Sequence, residues 1–144
     1  YKVQNYCENE TANLILSAFA DKAHKRDISM EIKAQIPTMP AVSESDLCVL
    51  LSNALENALH ACMQVQAKGL PAAIDVMAYQ QKDTFFIQIR NSCEENVEFV
   101  NEIPVTRRAG HGIGVRSICA VVERYGGLYS FSAANGQFIL RVSL

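Results

Sequence analysis

The segment from Ser43 to Gln66 has the clearest periodic pattern in this chain of 144 residues, and it predicts a long amphipathic helix. One arc of this helix carries Asn53, Glu56, Asn57 and His60, at positions i, i+3, i+4 and i+7. The opposite arc is broad and apolar, and it consists of Leu47, Leu50, Leu51, Ala54, Ala58, Leu59 and Cys62. The apolar arc therefore belongs to a core, and the polar arc is open to solvent or to a ligand.

The polar stripe on this helix has two interpretations. A solvated helix face is the simpler one, but such faces are usually built from Lys, Glu and Gln. Asn is a poor residue for a helix interior because its short amide competes for backbone hydrogen bonds. Amide oxygens also suit a hard cation such as Mg²⁺. The helix alone leaves the solvated face and the ligand site as equal alternatives.

The remaining segments alternate between helical and strand-like patterns. Further helices are predicted from Glu8 to Lys25 and from Ile113 to Tyr125, whereas Cys93 to Gly110 has no periodicity and is predicted to be a long loop. The predicted strands are Met30–Ile36, Ala73–Tyr79, Phe85–Arg90, Leu128–Ser132 and Phe138–Leu144. Most of them are joined by short turns. The predicted fold class is α+β, an α/β sandwich with about three helices on one face of a mostly antiparallel five-stranded sheet.

Composition supports one globular domain over residues 1–144. The chain is 49% hydrophobic and 19% charged, and its net charge of -2 gives no electrostatic reason to expect a nucleic-acid partner. No apolar run is long enough to cross a membrane. The five cysteines are widely spaced without a Cys-x-x-Cys pair, so we expect reduced thiols rather than disulfides or a zinc site.

A glycine-rich loop, Gly110-His111-Gly112-Ile113-Gly114, stands directly before the last predicted helix. Glycines let a backbone approach a ligand closely, and the start of a helix offers free N–H groups to phosphate. The loop does not open a βαβ unit, and no Lys-Ser/Thr follows it, so neither the dinucleotide fingerprint nor the Walker loop is present. Taken alone, a glycine-rich loop of this kind is more often an ordinary turn than a phosphate site.

The two motifs in this order, with a strand between them, resemble those of the GHKL ATPases. The stretch from Asp46 to Ala58 is similar to the N box of that family, and Gly110 to Gly114 is similar to its second glycine box. Tyr125-Gly126-Gly127 resembles the segment that closes the following helix. The similarity is greatest to the histidine-kinase branch that contains peptide-pheromone and citrate-type sensors, and it covers nearly the whole chain.

This resemblance implies a Bergerat-type ATP-binding fold with ATP and Mg²⁺ as cofactors. Asn57 would coordinate Mg²⁺ through its side-chain oxygen, and Asn53 would support the phosphates or the metal. The backbone N–H groups of Gly112, Ile113 and Gly114 would surround the phosphates.

Two other residues of the polar stripe gain roles from the resemblance. His60 stands where related kinases often carry a charged residue, so it would face the ligand; a packed or solvated histidine is the alternative. Glu56 would position a water or a Mg²⁺-bound group during catalysis. Neither His24 nor His60 nor His111 stands in a context that resembles a phosphoacceptor motif.

The base-binding end departs from the usual pattern of the superfamily. Most members carry Asp-x-Gly-x-Gly after the central strand, where the Asp accepts a hydrogen bond from the adenine amino group. In this chain the strand runs into Asn91-Ser92, as in the pheromone-sensor branch, so the resemblance places Asn91 and Ser92 at the base. The amide oxygen of Asn91 can still accept, but it lacks the charge, so we expect weaker adenine discrimination. A turn residue at the strand end is the alternative interpretation of Asn91.

The resemblance identifies Cys93 to Ala109 as a short lid over the nucleotide. Arg107 and Arg108 near its end would contact the β- or γ-phosphate, for which Arg is well shaped, or would form an exposed pair. His111 would orient the glycine loop or contact phosphate, and a packed or solvated histidine is its alternative.

The implied activity is transfer of the ATP γ-phosphoryl group to a histidine in two-component signalling. The acceptor would lie on a dimerisation domain of the same polypeptide, and the downstream partner would be a response regulator. We expect a homodimeric full-length protein in which this is a cytoplasmic domain, with contact to the membrane only through an upstream region. The alternatives are an anti-sigma-type serine/threonine kinase of the same fold, or a non-catalytic nucleotide-binding or protein-interaction module.

Overall fold

The computed structural model describes residues 3–38, 41–105 and 112–144. These residues form three helices, α1 (Glu10–Lys25), α2 (Glu44–Ala67) and α3 (Ile113–Arg124). The five strands of the main sheet are β1 (Ser29–Ala34), β2 (Ala73–Gln81), β3 (Thr84–Ser92), β6 (Leu128–Ala134) and β7 (Gln137–Ser143), and β4 (Phe99–Val100) and β5 (Ile103–Pro104) form a small separate hairpin. The predicted α+β fold class is confirmed.

The main sheet has the order β1-β2-β3-β7-β6. β1 and β2 are parallel because α2 crosses between them, and the other three neighbouring pairs are antiparallel. β6 and β7 form a hairpin through Asn135-Gly136, and both turn residues have positive φ, at 54° and 75°. That combination is the two-residue turn that matches the twist of paired strands.

The helices cover one face of the sheet. Along β2 every second residue of the first six is buried, beginning at Ile74, while the residues between them are exposed. Central β3 and β7 repeat this alternation, and their buried residues pack under α2 and α3. On the open face Tyr79 stacks on Phe86 with ring centroids 5.1 Å apart. The alternation predicted from the strand patterns therefore sets which side carries the core.

Helix α1 begins two residues later than the sequence pattern predicts. The buried side chain of Asn9 is the N-cap and accepts from the Ala12 N–H at 3.0 Å, while its own amide donates to the Pro37 carbonyl. Leu14 is apolar but 47% exposed. The reason is that the core-facing arc of α1 instead runs through Ala12, Leu16, Phe19 and Ala23.

Hydrogen bonds connect the N-terminal end of α2 with the C-terminal end of α3. Ser43 caps α2 by accepting from the Asp46 N–H at 3.2 Å, as the capping pattern predicts. The Asp46 carboxylate does not reach back to the cap; it accepts from the Tyr125 hydroxyl at 2.5 Å and also from Arg124. The Ser43 N–H donates to that same Tyr125 hydroxyl at 3.0 Å.

The predicted loop from Cys93 onward contains a short hairpin that the sequence did not reveal. β4 pairs with β5 through a turn at Asn101 and Glu102, which both have positive φ. Phe99 stacks on Phe138 of β7 with ring centroids 6.5 Å apart. The hairpin was missed because two-residue strands are too short to show periodicity, and its stability comes from this packing on the sheet.

Candidate functional site

The polar stripe of α2 meets the first turn of α3 at Gly114. A Cβ atom at that glycine would lie 3.2 Å from Asn53 Oδ1 and 3.5 Å from Asn57 Oδ1. The Asn53 amide nitrogen donates to the Val49 carbonyl at 2.8 Å, which leaves its oxygen turned toward α3. Gly114 is therefore a position of close approach between two helices, and it brings two amide oxygens to the start of α3.

The start of α3 has no side-chain cap. Gly112 is the N-cap residue, and no side chain accepts from the first turn. The Gly112 carbonyl accepts from the Arg116 N–H at 3.1 Å, but the first N–H groups of a helix have no intrahelical acceptor. Together with the helix dipole, they make this end of α3 favourable for an anion.

A cavity of about 200 Å³ opens beside these two elements. Helix α2 contributes Asn57, His60, Ala61 and Gln64 to its wall, and Gly112 at the start of α3 completes the polar end. Asn57 and His60 of the polar stripe and Gly112 of the glycine loop, which are distant in sequence, thus border the same cavity.

The rest of the cavity lining is mostly apolar. It includes Val97, Val105, Val115 and Phe138, and Asn91 also lines the cavity. Asn91 is only 3% exposed, and its amide nitrogen donates to the Ser92 carbonyl at 2.9 Å. The cavity lining therefore combines apolar side chains with several polar residues, one of which is the buried Asn91.

The chain that follows β3 is held over this cavity by several contacts. The Cys93 N–H donates to the Gly136 carbonyl at 2.9 Å, and Glu94 forms an ion pair of 2.6 Å with Lys68 just beyond α2. Burial raises the pKa of the Cys93 thiol, which lines the cavity. Burial also raises the pKa of Cys62 to about 11, with a smaller contribution from Cys93, so both thiols are protonated near neutral pH.

The structure does not bring every predicted residue into the cavity. Glu56 lines a different groove, with Lys22 and Lys25 of α1 and the C-cap residue Arg26, so the predicted catalytic role of Glu56 gains no support from this geometry. His60 lines both spaces. The Ser92 hydroxyl accepts from the Ala73 N–H at 3.0 Å and donates to the Ala73 carbonyl, so it fixes β3 to β2 rather than lining the cavity.

Three predicted residues lie outside the described part of the chain. These are Arg107, Arg108 and His111, together with Gly110 of the glycine loop. Gly112, Ile113 and Gly114 are described, and the side chain of Ile113 is 59% exposed.

Sequence reasoning missed most of the apolar lining. Ala61 and Gln64 could have been found, because they extend the Asn57 face by one and two helical turns. Val97, Val105 and Phe138 carried no such signal, since they come together only through the packing of the β4–β5 hairpin on β7.

A model of the GHKL domain matches residues 42–144 of this chain. That segment includes α2, the whole cavity wall and the entire sheet apart from β1. The chain belongs to the GHKL family. A search of curated protein sequences found no match.

Solved histidine kinase structures share the fold. The catalytic domain of the histidine kinase ThkA superposes with a TM-score of 0.73 at 15% identity, over 94% of this chain and 91% of that one. The mycobacterial sensor histidine kinase MprB gives 0.69 at 18% identity, over 92% and 93% of the two chains. The blue-light activated histidine kinase EL346 of Erythrobacter litoralis gives 0.69 at 13% identity, and this chain covers 41% of it. At these identities the likeness shows the fold, which is that of histidine kinase catalytic domains.

Two features are absent from the described residues. No helix among them is long and apolar enough to span a membrane. Within the same residues, no group of three or more His, Cys, Asp or Glu side chains is arranged to hold a metal ion.

Proposed function

We propose that this GHKL domain binds ATP with Mg²⁺ and donates the γ-phosphoryl group to a histidine on a separate dimerisation domain. The observation that carries the proposal is the convergence of Asn53, Asn57 and Gly114 at the edge of the cavity. The membership of the family and the fold of histidine kinase catalytic domains support it.

The polar end of the cavity fits a triphosphate only together with a cation. The start of α3 attracts the phosphates through its free N–H groups. The oxygens of Asn53 and Asn57 face the same place, and amide oxygens repel phosphate unless a positive ion lies between them. Mg²⁺ prefers oxygen ligands of this kind and keeps part of its water shell. Asn57 would hold the metal, and Asn53 would support it.

The apolar end fits the base of the nucleotide. Phe138, Val97, Val105 and Val115 offer a surface on which a planar ring can be desolvated. Asn91 offers hydrogen bonding at the end of that surface. The base would therefore bind against these apolar side chains, and the phosphates would bind at the start of α3, beside Asn53 and Asn57.

In phosphoryl transfer the protein contributes mainly positioning and charge stabilisation. The bound metal would neutralise the charge of the phosphates. The backbone at Gly112 to Gly114 would hold them while a histidine nitrogen of the acceptor domain bonds to the γ-phosphorus and ADP leaves. Arg107 and Arg108 belong to this proposal as phosphate contacts. The expected partners are the dimerisation domain and a response regulator, in a homodimer whose anchoring would lie upstream.

Equilibrium binding tests the nucleotide and metal assignments. We expect wild type to bind ATP more tightly with Mg²⁺ than without it. In the presence of Mg²⁺, Asn57→Ala should bind ATP about tenfold more weakly than wild type, a loss of about 1.4 kcal/mol. Glu44→Ala is the control, because Glu44 lies on the same helix, is exposed and does not line the cavity. It should leave the affinity unchanged.

The contrary outcomes separate the alternatives. If the wild-type domain does not bind nucleotide, the interpretation as a protein-interaction module would be favoured. If Asn57→Ala binds ATP with Mg²⁺ as tightly as wild type, Asn57 is not a metal ligand, but the assignment of the nucleotide site still stands. Transfer to a serine or threonine of a protein, with none to histidine, would favour the anti-sigma-type kinase.

A further inference from the structure

The two edges of the main sheet differ in their protection against pairing with another chain. In the order β1-β2-β3-β7-β6, the outer strands are β1 and β6. β1 carries the exposed charged residues Glu31 and Lys33, which are typical of a protected edge. β6 runs for 7 residues without a charged residue or a proline, and its pairing with β7 has no bulge. β6 is therefore an edge that can accept a further strand.

The backbone groups that β6 turns outward follow from the strand register. In an antiparallel pair, opposite residues alternate between those that exchange two hydrogen bonds and those that exchange none. Phe85 and Leu144 exchange both bonds, so every second residue counted back from Leu144 along β7 bonds to β3, and the residues between them bond to β6. Their partners on β6 are at positions 128, 130, 132 and 134. The N–H and C=O groups of Tyr129, Phe131 and Ala133 consequently point away from the sheet.

A groove of about 720 Å³ runs along this edge. Residues 127–133 line it without a break, as expected for a space that follows the backbone of the strand rather than one of its faces. Phe99, Asn101 and Glu102 of the β4–β5 hairpin form the opposite wall. Among the described residues, none lines both this groove and the cavity beside α2 and α3, so the two spaces are separate.

The side chains along β6 define the pattern that an added strand should carry. Tyr129 and Phe131 pack against the core on the helix side of the sheet, whereas Ser130 and Ser132 are exposed. Residues of an added strand that lie opposite Phe131 would point to the same side as its ring, and the residues between them would lie beside the serines. The groove therefore fits a segment in which apolar and polar residues alternate.

The charge of the groove favours a basic segment. Glu102 is exposed on its wall, and no Lys or Arg of the described chain lines it. The Tyr129 hydroxyl donates to the Glu123 carboxylate at 3.2 Å, so a second acidic group lies next to the groove. Lys or Arg residues flanking the apolar positions of an added strand would complement these carboxylates.

We propose that β6 and the β4–β5 hairpin form a docking groove for an extended, basic segment of a partner protein, which joins the main sheet as an additional strand. A single strand fits between β6 and the wall at Phe99 and Glu102, whereas β6 of a second copy would bring its own hairpin into the same space. This interaction goes beyond the proposed nucleotide-binding function and does not depend on it.

Methylated peptides test the backbone pairing on the wild-type domain. The probe is a short blocked peptide in which valine and threonine alternate between terminal lysines, and fluorescence anisotropy measures its binding. When the valines lie opposite Phe131, their N–H groups face β6 and those of the threonines face away. Methylation of the valine nitrogens should therefore weaken binding at least about tenfold, whereas the same number of methyl groups on threonine nitrogens should change it less than about threefold.

Two results with these peptides would overturn the proposal. One is an equal effect of the two methylation patterns, since the bound peptide would then not use one edge of its backbone. The other is failure of the unmethylated peptide to bind at concentrations up to about 1 mM.

Variants of the domain test the location and the charge of the groove. Ala133→Pro removes one outward N–H and keeps the bonds to β7, and proline is tolerated at such edge positions. It should weaken peptide binding about tenfold, and unchanged binding would mean that the peptide does not lie on β6. Glu102→Gln should weaken binding about threefold at low salt. Glu95→Gln is the matched control, because Glu95 is exposed but lies outside the groove, and equal affinities of these two variants would contradict the basic character of the segment.

Sedimentation distinguishes a partner segment from a second copy. A wild-type domain that is dimeric without peptide and becomes monomeric on Ala133→Pro substitution would show that a second copy occupies the edge, and would overturn the proposal. If Ala133→Pro does not fold, as judged by its unfolding transition, the methylated peptides on wild type still decide. ATP binding is measured separately, so failure of the docking groove and failure of the proposed function give different results.

Discussion

Two consecutive glycines end α3, and each is required for a different physical reason. Gly126 has φ of +66°, a conformation that L side chains rarely adopt, but a Cβ atom there would meet nothing within 4 Å. Gly127 lacks this backbone conformation but lies against the end of β7, where an added Cβ would overlap the Ser143 carbonyl oxygen and lie 3.0 Å from Leu144 Cδ2. Their N–H groups donate to the Glu123 and Val122 carbonyls, which closes the helix in a Schellman motif.

This contrast predicts different costs for two alanine substitutions. Gly126→Ala should lower the free energy of unfolding by about 1 kcal/mol, because only the left-handed backbone conformation is penalised. Gly127→Ala should cost about 3 kcal/mol, because a backbone carbonyl has to move. Urea unfolding of both variants measures the difference. If the two substitutions lower the free energy of unfolding equally, or if Gly126→Ala lowers it more, the backbone at the end of β7 moves with little loss of stability.

At the level of elements, α2 and α3 are joined at one end by Asp46 and Tyr125 and meet at the other through Gly114. The pKa of Asp46 lies below its usual value of 3.8, mainly because the Tyr125 hydroxyl donates a hydrogen bond to the carboxylate. Ser43 and Arg124 lower this pKa further. Arg124 contributes little because its side chain is 60% exposed and screened by water. The relative placement of the two helices that form the site thus depends on a bond far from the site.

The depressed pKa predicts a specific dependence of stability on pH. The stabilisation from Asp46 is present above the pKa of the unfolded chain and is lost as the pH falls through the lower pKa of the folded protein. Between about pH 5 and about pH 2.5 the wild type should therefore lose more stability than Asp46→Asn.

Denaturant unfolding at a series of pH values measures this effect. Tyr125→Phe provides the control, because it keeps the carboxylate and removes the main cause of its low pKa. Its pH dependence should lie between those of wild type and Asp46→Asn. Parallel curves for all three proteins would mean that Asp46 titrates as it does in the unfolded chain.

The helices and long strands were predictable from sequence because their patterns follow from local geometry. Ser43 as a cap and the turn at Asn135-Gly136 are examples in which one or two residues determine the backbone. The parallel pairing of β1 with β2 was not specified in the prediction, and the β4–β5 hairpin was missed. Both depend on contacts between residues distant in sequence, which no local pattern records.

For the whole molecule, the proposed function predicts binding without self-modification. The isolated domain should bind ATP and Mg²⁺, but it should incorporate little phosphate, because none of His24, His60 and His111 resembles an acceptor motif. Adding a separate dimerisation domain that carries the acceptor histidine should restore labelling on that domain alone. The measurement is the radiolabelled phosphate incorporated from ATP by the isolated domain, by the dimerisation domain, and by the two mixed together. Strong labelling of the isolated domain would contradict it.

The amino-acid sequence by itself determined the fold class and the polar end of the candidate site. Asn53 and Asn57 share one helix face because of helical periodicity, and the glycines before α3 leave its first turn open; both are local consequences of residue order.

Tertiary structure decided how the rest of the stripe is used. It placed Glu56 in a different groove from Asn57, because neighbouring positions on one helix face point toward different packing partners. It turned the Ser92 hydroxyl to β2 and fixed the Asn91 amide through the Ser92 carbonyl. These choices depend on which backbone groups lie within hydrogen-bond distance after the strands pair, and strand pairing joins residues that the sequence keeps far apart.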